Sequence, residues 1–258
     1  NGEYQEDRIT ESTQNVNLFV TGGYKLADDL KLDFNVGMQL FQNSYRRLSS
    51  EETNFTNPDE VFLNVGNATS ANSNPSDFIQ KTRKSGAFAV LNFDYKNEFL
   101  LELTGRGEYV SSLPGAGLIF YPSASFGWNF TKHVEDTFLS FAKFRASYGE
   151  VGIEPGLYQN RDVFVSSTAG AEGWGDYIDG GNYGGTFARG ATQGNPDLTI
   201  ETVQEIEFGG DFRFLQNSLG LGITYYSRTT KDGILPLEAP PSSGYTRVFA
   251  NAAEISNK

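Results

Sequence analysis

Acidic, amide and basic side chains recur at two-residue spacing through much of this 258-residue chain. Asp33, Asn35 and Gln39 form one such set, and Glu102 and Arg106 another. Glu205, Glu207 and Asp211 form a third, with Arg145 and Arg228 inside similar patterns. In extended backbone every second residue faces the same way, so each set would coat one face of a strand. Such a face can line a hydrated solute path or receive a docking domain. It can also be a polar wall whose charges pair across strands, as Glu102 or Arg106 against Asp94 would do. Carboxylate pairs also serve glycosidases. No two acids here stand apart from the general polar face, so catalysis is not expected.

Other chemistry is limited by residue type. With no cysteine and one histidine, disulfides, thiolate sites and multi-histidine metal centres are excluded. Asp176, Asp179 and Asn182 offer oxygen ligands suited to Ca²⁺, but their spacing fits no EF-hand loop. No metal and no cofactor are expected. His133 reads as a solvated turn residue. The net charge of −12 argues against nucleic acid, which requires clustered cations. The segment 151–199 differs in kind. It sets Trp174, Tyr177, Tyr183 and Phe187 among many glycines. Aromatic faces stack on sugars or peptides, and glycine permits close backbone approach. These four are the candidate ligand- or partner-contact residues.

The elements that position these groups are strands. From Lys31 to Phe41 the apolar set Leu32, Phe34, Val36, Met38 and Leu40 alternates with Lys31, Asp33, Asn35, Gly37 and Gln39. The same period runs through Val16–Lys25, Ala87–Tyr95, Phe99–Arg106, Phe120–Asn129, Lys143–Tyr148, Glu205–Arg213 and Leu219–Arg228. A further strand starts near Thr246. Tight connections at Ala27–Asp29, Lys96–Glu98 and Leu215–Ser218 alternate with long polar ones at 49–85, 151–199 and 232–245. The 131–141 connection has room for one helical turn. No run of eighteen apolar residues is present, which leaves strand crossings open. Strands of about ten to fourteen residues suit a tilted bilayer crossing better than a soluble sandwich. Aromatics near strand ends, such as Tyr24, Tyr95, Phe99, Phe120, Trp128 and Phe130, suit an interfacial girdle. The expected fold is all-β: an antiparallel transmembrane β-barrel segment with long extracellular loops and short periplasmic turns.

Four stretches sharpen this. Tyr121–Trp128 (YPSASFGW), Lys143–Gly149 (KFRASYG), Gly194–Thr202 (GNPDLTIET) and Asn251–Lys258 (NAAEISNK) occur in order and at compatible spacing. Together they resemble the SusC/RagA family of TonB-dependent outer-membrane transporters. Ile200 stands where that family often has Trp, and Ala253 where it has Gly. The resemblance covers roughly 81–258 well and the first eighty residues by pattern alone. It implies that about nine strands here belong to a barrel of about 22. Residues 1–258 would then be part of one barrel domain, with plug and TonB box supplied by sequence outside this piece. It implies active import of oligosaccharides or peptides with a SusD-like surface lipoprotein, TonB and outer-membrane lipid as partners. The rivals are a structural, adhesive or passive-pore barrel and a soluble glycan-binding sandwich.

Overall fold

A computed structural model describes residues 3–57, 67–68, 72–133, 138–167 and 186–258. Twelve strands account for most of them. They are β1 (Glu3–Ala27), β2 (Leu30–Thr53), β3 (Ser73–Tyr95), β4 (Phe99–Val110), β5 (Ile119–Asn129) and β6 (Leu139–Ile153). The rest are β7 (Phe164–Ser167), β8 (Thr186–Arg189), β9 (Thr192–Gln193), β10 (Glu201–Phe214), β11 (Leu219–Glu238) and β12 (Arg247–Asn257). One sheet runs β1-β2-β3-β4-β5-β6-β10-β11-β12-β9, and β7 with β8 forms a separate two-stranded antiparallel sheet. The long strands pair in chain order, as an up-and-down antiparallel sheet requires. The β12–β9 contact is parallel and two residues long.

All eight segments with period-two alternation are strands, and the further strand expected near Thr246 is β12. Several are longer than expected: β1, β2, β3 and β11 have 25, 24, 23 and 20 residues. Much of the expected long connections is therefore strand. Within the expected 49–85 connection β2 runs on to Thr53 and β3 already starts at Ser73, and β11 continues to Glu238. Alternating hydropathy marks a strand only where one face is apolar. Where both faces are polar, the hydrogen-bonded ladder persists without that signal.

The three tight turns form as expected. At Lys96–Asn97 both central residues have positive φ (60° and 51°), and Glu98 N–H donates to Tyr95 O at 3.0 Å. Asp94 Oδ1 accepts from Asn97 N–H at 2.7 Å. Gln216 and Asn217 (φ 56° and 68°) form the equivalent turn before β11. Positive φ at both central residues matches the twist of antiparallel hairpins. The single turn expected after β5 is a 3-10 turn, Phe130–His133.

The chain divides into two compact units. One comprises 1–17 with 39–85, the other 18–38 with 86–258. In the second, Val110, Leu113 and Leu198 are buried, with Ile119, Ile200, Ile234 and Phe249 against them. This small core gathers the end of β4, the start of β5, the approach to β10, and parts of β11 and β12. Elsewhere in that unit large apolar side chains are exposed: Phe208 at 55%, Ile223 at 58% and Val36 at 47%.

Candidate functional site

The strand register places most of the expected polar residues on one face. Glu102 lies opposite Ser125 and Arg106 opposite Tyr121. Ser125 lies opposite Ser147, and Gly127 opposite Arg145. Arg145 then faces Gly209, Ser147 faces Glu207, and Gly149 faces Glu205. Glu205 faces Arg228, and Asp211 faces Gly222. Directly opposed residues project to the same side. Glu102, Arg106, Arg145, Glu205, Glu207, Asp211 and Arg228 therefore share one face across β4, β5, β6, β10 and β11. Leu101, Leu103, Phe126, Phe144, Phe208 and Ile223 occupy the intervening positions and face the other way.

Arg145 is the centre of this wall. It lies flat over Gly209, where any Cβ would collide with its guanidinium. Its Nη2 donates to Thr224 Oγ1 on β11 at 2.5 Å. Glu207 and Asp211 flank it at 3.6 and 3.7 Å. One cation thereby bridges three strands. Arg228 Nε donates to Glu205 Oε2 at 2.6 Å. Beside that pair is a depression of about 460 Å³ with Ser123, Ser125, Ser147 and Gly149 among its lining residues. Small side chains on two neighbouring strands, β5 and β6, make the wall locally concave.

The expected pairing of Arg106 with Asp94 does not occur. Arg106 Nε donates to Glu108 Oε2 two residues along its own strand, at 3.1 Å. It lies beside Gly86, well along β3 from the turn that Asp94 closes. In the same unit Asp33 contacts the Gly23 backbone position and Asn35 is half-buried. Gly37 lies on their face, where a Cβ would be 2.6 Å from Leu18 O and 2.8 Å from both Phe19 Cβ and Phe88 Cζ. Glycine is required for those rings to cross β2.

The 1–17/39–85 unit is built differently. On one face Gln39 Nε2 donates to Asn15 Oδ1 at 3.2 Å and Asn43 Nδ2 to Glu11 Oε1 at 2.9 Å. Arg47 forks onto Asp7 there at 3.0 and 2.9 Å. On the other, Arg46 forks onto Asp77 at 3.0 and 2.7 Å, and Arg83 Nε donates to Gln42 Oε1 at 2.9 Å. Both faces carry polar cross-strand pairs.

Of the aromatic candidates, Trp174, Tyr177 and Tyr183 lie outside the described residues, as do Asp176, Asp179 and Asn182. Phe187 is in β8 opposite Ser166, and 77% exposed. The base of that connection is fastened by bonds that no local pattern announces. Asn195 donates to Phe249 O at 2.9 Å, and its Oδ1 caps Asp197 N–H at 3.0 Å. Asn251 accepts from Thr199 N–H at 2.9 Å and donates to Asp232 O at 2.7 Å. Asp162 accepts from Gly194 N–H at 2.9 Å and from Tyr245 Oη at 2.8 Å. Those two donors hold the Asp162 carboxyl below its ordinary range, while burial, then the bond to Asp162, raises Tyr245.

At the tight-turn end, rings touch in series: Tyr95–Phe99, Phe99–Trp128, Trp128–Phe144, Phe144–Phe212 and Phe212–Phe214, with centroids 5.6–6.5 Å apart. This belt crosses five strands on the apolar face. His133 belongs to it and is not merely solvated. Its Nε2 is 2.5 Å from Glu98 Oε1, which also accepts from Trp128 Nε1 at 3.3 Å. The turn after β5 folds back onto the rings, which carries His133 to the carboxylate.

An antiparallel sheet with one apolar, ring-belted face and one ion-paired face is the wall of an outer-membrane β-barrel. The chain belongs to the TonB dependent receptor-like β-barrel family, whose sequence model matches residues 1–258. It is thus a barrel segment of the bacterial outer membrane. Curated relatives include the TonB-dependent receptors P3 and P26 of Formosa agariphila. They are 28% identical over 191 residues and 27% over 227, covering 71% and 82% of this chain. The chain spans only 18% and 21% of their lengths. A solved structure of the RagAB peptide transporter superposes with a TM-score of 0.82 at 18% identity, over 98% of this chain and 27% of that one.

Proposed function

We propose that this segment is part of the barrel wall of an active importer that moves oligosaccharides or peptides inward. Import is energised through TonB, and a SusD-like surface lipoprotein covers the extracellular mouth. Residues 1–258 form part of a single barrel domain. The remaining strands, the plug and the TonB-contacting segment come from sequence outside this span. The face bearing Asp33, Asn35, Gln39, Glu102, Arg106, Arg145, Glu205, Glu207, Asp211 and Arg228 lines the lumen, and the alternate face meets lipid. The observation that carries this reading is the register gathering Arg145, Glu205, Glu207, Asp211 and Arg228 on one wall. Mutual pairing keeps those charges from trapping cargo, and the Ser/Gly depression leaves room for a hydrated path or plug. The likeness to a peptide transporter and the family membership support import over a merely structural barrel.

The aromatic connection supplies recognition on this reading. In cells bearing the full-length protein, Trp174→Ala with Tyr177→Ala should reduce uptake of fluorescent oligosaccharide or peptide pools at least several-fold. An interface aromatic typically contributes about 2 kcal/mol or more. Barrel insertion should be unchanged. Disabling TonB should abolish the same uptake. TonB-independent uptake would overturn active import, and full uptake by the double variant would remove the connection from recognition.

A further inference from the structure

Arg8, Arg46, Lys81 and Arg83 come together on one face of the 1–17/39–85 unit. The side-chain contacts define that face. Arg46 meets Asp77, and Arg83 meets Gln42. Even positions of β2 and odd positions of β3 therefore share a side. Arg8 and Asp77 line one groove of about 460 Å³ with Leu48 and Pro75, which adds the even positions of β1. The contacts Asn15–Gln39, Glu11–Asn43 and Asp7–Arg47 occupy the reverse side.

The same alternate positions read as a depth scale along each strand. In β2 they run Leu32, Phe34, Val36, Met38, Leu40, and then Gln42, Ser44, Arg46. In β3 they run Phe93, Leu91, Ala89, Ala87, and then Ser85, Arg83, Lys81. In β1 they run Tyr24, Val20, Leu18, Val16, and then Gln14, Ser12, Thr10, Arg8. All three change from apolar to polar at the end remote from the tight turns, and basic residues follow within a few positions. Between Glu6 and Gln14, Gln42 and Leu48, and Asp77 and Arg83, this face holds four cations against two carboxylates, Glu6 and Asp77. That inverts the sign of a chain whose net charge is −12.

Along a strand, same-face residues repeat at about 6.8 Å. Arg83 and Lys81 therefore lie two and three such steps beyond Ala87 along β3, with Arg83 set against Gln42 of β2. A cationic cluster directly beyond an apolar band is where lipid phosphates are presented. Guanidinium groups suit phosphate because their fork can engage two oxygens. Arg46 is already forked onto Asp77, which holds it in the plane of the face.

We infer that this patch binds the phosphate groups of outer-leaflet lipid, seating the protein's extracellular edge on an anionic headgroup layer. The inference rests on assigning the alternate apolar face to lipid. The test uses the full-length protein in phosphatidylcholine nanodiscs doped with diphosphoryl lipid A or with its dephosphorylated form. Lipid retained through detergent extraction is counted by native mass spectrometry. Wild type should retain the phosphorylated form preferentially. Lys81→Gln and Arg83→Gln should each lower retention about fivefold, equivalent to about 1 kcal/mol per cation. Lys84→Gln removes the same charge from the reverse face and should leave retention unchanged. Equal retention of the two lipids by wild type, or equal losses from the Lys84 and Lys81 variants, would overturn the patch. The face assignment is checked separately by comparing Val36→Arg with Asn35→Arg in bilayer folding. If Val36→Arg is no worse than Asn35→Arg, the assignment itself is wrong.

Discussion

The two compact units divide β1, β2 and β3 between them yet solve different problems. In 18–38 with 86–258, one sheet face is apolar and belted with rings, and the other is paired charge. In 1–17 with 39–85, Arg46–Asp77 and Arg47–Asp7 hang on opposite faces of β2, so both faces carry charge pairs. Both are well-formed antiparallel sheet. The contrast teaches that hydropathy alternation reports what a strand faces, not whether it is a strand. Backbone pairing and cross-strand forks suffice when water lies on both sides. One face must turn apolar where lipid replaces water.

The largest expected effect tests that boundary. Val36→Arg should destabilise folding in bilayers by about 2–4 kcal/mol, the cost of a cation at lipid mid-depth. Asn35→Arg on the reverse face and Ser44→Arg farther along β2 should cost far less. Urea-dependent folding into vesicles measures all three, and equal penalties at 36 and 44 would erase the distinction between the units. Next is Gly37→Val, which forces a side chain between Phe19, Phe88 and Leu18 O. Overpacking of this kind costs about 1–3 kcal/mol. The same assay should show a clear loss, and a neutral result would show that the rings are free to move.

Smaller effects separate the fastened loop base from the exposed ladder. Asp162 is held below its usual range by Gly194 N–H and Tyr245 Oη. A depressed carboxyl stabilises above its unfolded pKa, near 4, and loses that contribution as pH falls through the folded value. Limited proteolysis of the 151–199 connection should therefore accelerate below about pH 4, and in Asp162→Asn already at neutral pH. Protease resistance independent of both would mean the base is held by Asn195 and Asn251 alone. The smallest change belongs to Arg47→Ala. Its pair with Asp7 is exposed and screened by salt, so the unfolding midpoint should barely move. A large shift would show that the polar ladder is not interchangeable with hydration.

The sequence was most readable where one face is apolar. Leu32–Leu40 and Leu219–Tyr225 announced their strands and their sides together. It was silent on the outer parts of β1 and β3, where Glu3–Gln14 and Ser73–Lys84 alternate nothing hydrophobic. The short strands β7, β8 and β9 have too few residues to show a period. Register was equally hidden. Arg106 and Asp94 are plausible partners by type, but only the pairing of β3 with β4 decides that Arg106 turns to Glu108. The polar wall was anticipated as a set, whereas its three-strand bridge through Arg145 depends on the blank at Gly209. Asn195 and Asn251 bond backbone more than fifty residues away, which leaves no trace in local spacing. His133 looked solitary because Glu98 and Trp128 reach it only once the turn has folded back.

Arg145 lying across Gly209 carries a consequence for inheritance. The guanidinium occupies the volume that a side chain at 209 would need, so 209 cannot gain one while Arg145 stays in place, whereas 145 is free to change over the glycine. A lineage that gains alanine or serine at 209 must displace or shorten the Arg145 side chain, and one that shortens 145 releases 209 from that constraint. Among related barrels the two sites should therefore behave as one inherited character: glycine where arginine persists, and variety only where it has gone.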